Sequence, residues 1–148
     1  MRKAFSLVEL MIVVAVLGIL AAIVVPEFRS YGTQANESAT KNNLYLLRAG
    51  IELYAVRHNG VPPGYPADNI GAPVSQDEFR AQMVDGGYLQ KMPRNSFNNL
   101  DTLDMIPNGA ALPAEATGGY GWIYQPQSKT IRLDWPGTDK KGIRYYDY

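Results

Sequence analysis

The 148-residue sequence has no cysteine and a single histidine, His58. Without thiols, no disulfide can brace an exported domain and no thiolate site can hold zinc. One imidazole excludes multi-histidine metal sites as well. None of the patterns G-x-S-x-G, H-E-x-x-H or the P-loop occurs, so no enzyme is expected. His58 stands beside Asn59-Gly60 and reads as a contact at a helix C-terminus rather than a catalytic base. Charge is in balance, with 14 basic and 14 acidic side chains, so this is no polycation and no nucleic-acid partner is expected. No internal repeat is present. The most informative absence is local: from Leu10 to Val25 there is no charged or polar side chain at all, only apolar residues and glycine.

That absence defines the stretch Phe5 to Val25, FSLVELMIVVAVLGILAAIVV. At about 1.5 Å per helical residue it reaches roughly 32 Å, enough to cross a bilayer's hydrocarbon core. Arg2 and Lys3 precede it, so the positive-inside rule keeps the N-terminus cytoplasmic and sends the rest outward in a single pass. A cleaved secretory signal fits poorly, because the run exceeds a usual h-region and no A-x-A-like site comes before Pro26. A plain anchor leaves Glu9 unexplained, since a charge deep in a membrane costs on the order of 2.5–3.5 kcal/mol.

The segment Ala4-Phe5-Ser6-Leu7-Val8-Glu9-Leu10 closely resembles the class III leader junction of type IV pilins and type II secretion pseudopilins, and it accounts for Glu9. In that family a prepilin peptidase cuts after a short basic leader, the phenylalanine so exposed is N-methylated, and the apolar helix is retained for assembly. Carried over by position, the resemblance places the cut between Ala4 and Phe5, the methyl on Phe5, and the family's glutamate at Glu9. Gly18 and Pro26 fall where the family has its helix-loosening glycine and proline. One departure is Ala4, where the family usually has glycine. The cystine that closes a C-terminal loop in many pilins cannot form here.

After Pro26 a kink is expected, not a stop. Leu44, Leu47, Ile51 and Tyr54 recur at helical spacing, making one apolar stripe, with Lys41, Arg48, Glu52 and Arg57 on the other side. Asn59-Gly60 ends the helix near residue 58. Val61–Asp68 is too proline-rich for helix or central strand and reads as an ordered surface loop. Ser75-Gln-Asp-Glu78 opens a short helix over about 76–85, anchored by Phe79 and Met83. The Tyr88–Pro93 segment is similar to the G-Y-L-x-x-x-P segment of secretion pseudopilins. Gly121–Tyr124 and Thr130–Leu133 form a hairpin, about 121–134, around a turn holding Pro126. A further strand is placed near Leu103–Ile106. The run from Pro107 to Gly119, poor in charge, reads as a mobile loop.

The resulting expectation is α+β and pilin-like: a long N-terminal helix, its outer half packed on a small antiparallel sheet. Residues 1–4 are the leader, 5–30 the transmembrane and assembly helix, and 31–148 the globular domain. No cofactor is required. Calcium is the one ion to weigh, because related pseudopilins hold it near their C-termini and Asp134, Asp139 and Asp147 could donate oxygens there, although no EF-hand loop is present and Lys140-Lys141 opposes a cation. Trp122, Tyr124, Trp135, Tyr145, Tyr146 and Tyr148 read as core and intersubunit packing, or as a binding face. The resemblance implies a structural subunit stored in the bacterial inner membrane, processed by prepilin peptidase, and assembled on an inner-membrane platform. It would then self-associate into a periplasmic pseudopilus or a cell-surface pilus. The rival is a membrane-tethered extracytoplasmic binding domain that does not polymerise.

Overall fold

The computed structural model describes residues 6–148, and for 26–30 the backbone alone. The chain forms two compact units, Met1–Asn36 and Glu37–Tyr148. Helix α1, Leu7–Arg57, continues through Gly18, Pro26 and Gly32. Proline removes one donor from the helical ladder, and the bonds of the neighbouring turns carry the helix past it.

In the first unit the helix has no buried face over Leu7–Val25. Every side chain from Leu7 to Val25 is exposed. Glu9 is the acidic residue of its first turn.

In the second unit the helix is one-sided. Leu44, Leu47, Ile51 and Tyr54 are all buried, with Ala55 beside them. Spacings of three and four residues put these side chains in one stripe, which faces the core. Gly50 shares that face, where a Cβ would stand 2.8 Å from Met83 Cε. The backbone there approaches its neighbour too closely for a larger residue to fit without moving that methionine. Backbone geometry ends the helix: Asn59 and Gly60 take positive φ, and the Gly60 N–H donates to the Ala55 carbonyl at 2.8 Å.

The proline-rich loop folds back on the domain, with Pro62, Pro63, Gly64 and Tyr65 buried. Helix α2, Gln76–Arg80, begins at Ser75, whose Oγ accepts from the Glu78 N–H at 3.4 Å. It widens into a π turn, Ala81–Asp85. Phe79 and Met83 are fully buried, as their one-turn spacing suggested.

Among the described residues three strands form one sheet in the order β1 (Leu103–Met105), β2 (Trp122–Gln125), β3 (Thr130–Leu133). β2 and β3 make the expected hairpin, with Trp122 opposite Leu133 and Gln125 opposite Thr130. The expectation of an antiparallel sheet is corrected at β1, which pairs with β2 in parallel, Leu103 beside Trp122 and Met105 beside Tyr124. Strands joined by a tight turn must be antiparallel, whereas a parallel pair needs a crossover of about a dozen residues. Residues 106–121 supply that crossover.

Both faces of the sheet are covered. Trp122, Tyr124, Ile131 and Leu133 pack with the α1 stripe, Phe79 and Met83. On the other face Ile123, Ile106 and Tyr146 cluster under Leu112 and Ala116. The crossover, read from its sequence as a mobile loop, lies as a lid on the sheet through Leu112 and Ala116. Gln125 Nε2 donates to the Ala110 carbonyl at 2.7 Å, Gly109 N–H donates to Gln127, and the Tyr146 hydroxyl donates to the Pro113 carbonyl.

Candidate functional site

The residues singled out for assembly lie on the helix that the first unit leaves uncovered. Ala4 and Phe5, the proposed cut and methylation positions, lie outside the described residues. Glu9 is exposed, in the first turn of α1. None of the ion pairs among the described residues involves it. A Cβ at Gly18 would meet nothing within 4 Å, so packing within this chain does not require glycine there. Pro26 lies within α1, and its side chain is outside the description. The stretch Leu7–Val25 is long and apolar enough to cross a membrane. Chemically, it can offer apolar surface all round and one carboxylate near its start.

The C-terminal aspartates are separated, each on its own partners. Asp134, directly after β3, is fully buried. Its Oδ1 accepts from the Thr117 and Gly118 N–H groups at 2.6 and 3.0 Å, and its Oδ2 from the Tyr120 N–H and the Thr117 hydroxyl at 2.8 and 3.0 Å. Asp139 Oδ1 accepts from the Lys141 and Ile143 N–H groups, and its Oδ2 from the Tyr148 hydroxyl at 3.1 Å. Burial alone would raise the Asp139 carboxyl, yet these donors and nearby Lys41 hold it below its ordinary value. Asp147 lies between Arg144 and Arg132, at 2.7 and 3.0 Å, and these guanidinium groups likewise lower it. Among the described residues, no group of three or more His, Cys, Asp or Glu is placed to hold a metal ion.

His58 does not cap its helix. Its ring stacks on Tyr54 with centroids 3.9 Å apart, and Nδ1 donates to Asp68 Oδ2 at 2.7 Å. The Tyr54 hydroxyl donates to the other Asp68 oxygen at 2.6 Å, and the Tyr88 hydroxyl lies 3.3 Å from His58 Nε2. Burial pushes Asp68 upward, but the hydrogen bonds from Tyr54 and His58 outweigh it and hold the carboxyl below its usual range. Asp68 and the preceding Ala67 both have positive φ, a strained conformation for residues with a Cβ. The cluster pins that turn to the end of α1. Sequence spacing gave no sign of it, because Asp68 and Tyr88 reach the histidine from separate loops.

A second apolar stripe was overlooked although its spacing is legible. Tyr45, Leu53 and Val56 are exposed on α1 at steps of eight and three residues, with Leu46 alongside. The aromatic tail is mostly core. Trp122, Tyr124, Tyr145 and Tyr146 are buried, and Trp135 stacks on Phe97 at 5.6 Å between centroids. Tyr145 donates to Glu37 at 2.9 Å; burial and that carboxylate push its hydroxyl up to about 12.

The helix, the α+β fold and the uncovered apolar segment together define a pilin-like subunit. The prokaryotic N-terminal methylation motif matches residues 1–25. The chain is 31% identical over 101 residues to type II secretion system core protein G of Pseudomonas aeruginosa, an alignment covering 66% of this chain and 70% of that protein. It is 28% identical over 122 residues to the prepilin peptidase-dependent protein D of Escherichia coli K12, covering 82% and 80%. The type IV major fimbrial protein FimA of Dichelobacter nodosus is 42% identical over 52 residues, covering 35% of this chain and 33% of that protein. No solved structure matches. The chain belongs to the type IV pilin and type II secretion pseudopilin family.

Proposed function

We propose that this chain is a structural filament subunit, stored in the bacterial inner membrane with its N-terminus cytoplasmic. It is cut between Ala4 and Phe5, methylated at Phe5, and polymerised through α1 on an inner-membrane assembly platform. The observation that carries the reading is the contrast within α1: an apolar segment with no covering face, preceded by one carboxylate, on a helix whose outer half is already packed by its own domain. Lipid can cover the first segment before assembly, and neighbouring copies of it afterwards. The resemblance to core protein G and the Tyr88–Pro93 segment favour the secretion pseudopilus over the surface pilus.

Glu9 has a role in this scheme that a monomeric anchor would not give it. Cleavage creates an amine at Phe5. A neighbouring helix displaced outward by four residues, roughly 6 Å, brings its own Phe5 amine level with this carboxylate. A buried charge pair contributes little net stability but is costly to break, so the pair sets axial register more than strength. Gly18 and Pro26 are the poorest helix formers in the segment, by about 1 and 3 kcal/mol, and mark where the helix extends on packing into a filament. Intact-mass spectrometry of protein from the native envelope is expected to give a chain beginning at methylated Phe5. A mature chain beginning at Met1, or after Val25, would overturn the proposal.

A further inference from the structure

We infer that the buried Asp134 carboxylate organises the crossover lid by itself and that the C-terminal aspartates do not form a calcium site, so that this chain folds and assembles independently of calcium. A carboxylate has two oxygens with about four lone-pair directions. All four are taken at Asp134, two by Thr117 and Gly118 N–H groups and two by the Tyr120 N–H and the Thr117 hydroxyl. These donors present their positive ends to the carboxylate, which leaves a calcium ion, needing 6–8 oxygen ligands, neither a free lone pair nor a favourable field. The remaining aspartates are committed too: Asp139 to two backbone N–H groups and Tyr148, Asp147 to two arginines. Asp104 on β1 is a further carboxyl that feels the charge of Asp134; burial first, then Asp134, raises it above its ordinary value.

The arrangement does mechanical work at a defined place. Thr117, Gly118 and Tyr120 wrap one anion with their N–H groups, and Leu112 and Ala116 of the same crossover lie against Ile123 and Tyr146. Releasing the wrap uncovers that face of the sheet. Calorimetry and melting read the folded subunit and do not depend on leader processing or on Glu9; only the filament arm rests on the function proposed above.

The test uses full-length protein in detergent, calcium chloride titrated by calorimetry to about 5 mM, above the roughly 0.1–1 mM range in which extracellular modules bind. No saturable heat is expected, and the thermal midpoint should be the same in chelator and in calcium. Asp134→Asn should melt at lower temperature and be cut faster by elastase within 107–121, with no rescue by calcium. If that variant does not fold, Thr117→Val, which removes only the hydroxyl donor, should show a smaller drop in the same direction. Asp104→Asn should melt no lower than the parent. Filament yield in cells should be unchanged by chelator. Saturable calcium binding lost in Asp104→Asn or Asp134→Asn, a calcium-dependent midpoint, wild-type melting of Asp134→Asn, or loss of filaments in chelator would each overturn the inference.

Discussion

Two stretches of one helix meet opposite fates. Apart from Glu9, residues 7–25 are apolar all round, and they are exposed all round, whereas residues 44–55 are apolar on one side and that side is buried. An amphipathic stripe is satisfied by one surface, and here the chain's own sheet provides it. A uniformly apolar helix needs a surrounding environment, and no small domain can wrap it. The first stretch is therefore open to lipid and then to copies of itself, while the second is closed. Hydrophobicity alone does not tell the two apart; its distribution around the helix does.

The sharpest way to break the comparison is to change the one charge in the open stretch. Glu9→Ala should still be inserted and processed but yield few or no filaments, accumulating as a membrane monomer, as read by shearing and immunoblotting of membrane and filament fractions. Wild-type filament yield at normal protein levels would remove the register role.

Next in size is a pair of leucine truncations, one in each stretch. Leu47 is completely buried, so Leu47→Ala should cost about 2–5 kcal/mol of domain stability through lost burial and an unfilled cavity. Leu17→Ala, at an exposed site, should leave the thermal midpoint of the soluble domain unchanged. Equal effects from the two would mean that the outer stripe is not the core.

A smaller effect should appear against pH, confined to the closed stretch and its loops. Asp68, Asp139 and Asp147 have carboxyls held below the ordinary value of 3.8 in the fold. Between their lowered values and that ordinary value, the unfolded chain binds more protons than the native one. Their contribution is therefore complete above about pH 4 and is lost as pH falls through the native values. Tyr145 acts at the other end: its contribution is complete below the ordinary tyrosine value of 10 and is lost as pH rises through about 12. Denaturation midpoints from pH 2 to 12 should fall at both ends, and Asp68→Asn should flatten part of the acid limb.

The smallest change is expected at Tyr124, whose hydroxyl is buried with no hydrogen-bond partner among the described residues. Tyr124→Phe removes an unsatisfied polar atom and keeps the ring against Phe79, with centroids 4.9 Å apart. Stability should stay within about 1 kcal/mol or rise slightly. A large loss would point to a partner for that hydroxyl.

Local patterns were enough to identify the apolar segment, the Leu44–Tyr54 stripe, the helix stop at Asn59-Gly60, the α2 start at Ser75 and the β2–β3 hairpin. Each depends on residues close together in the chain, where helical or strand periodicity and turn chemistry act directly. The family motif at residues 4–10 is equally local, and so the family was legible. Tertiary structure alone decided three other features. The direction of β1 depends on where a sixteen-residue crossover delivers the chain, the tie between His58 and Asp68 on two loops meeting a helix end, and the Asp134 wrap on backbone N–H groups that any residue type could supply. Such contacts join separate loops and strands, where neither periodicity nor turn chemistry acts, so only the closed fold brings them into view.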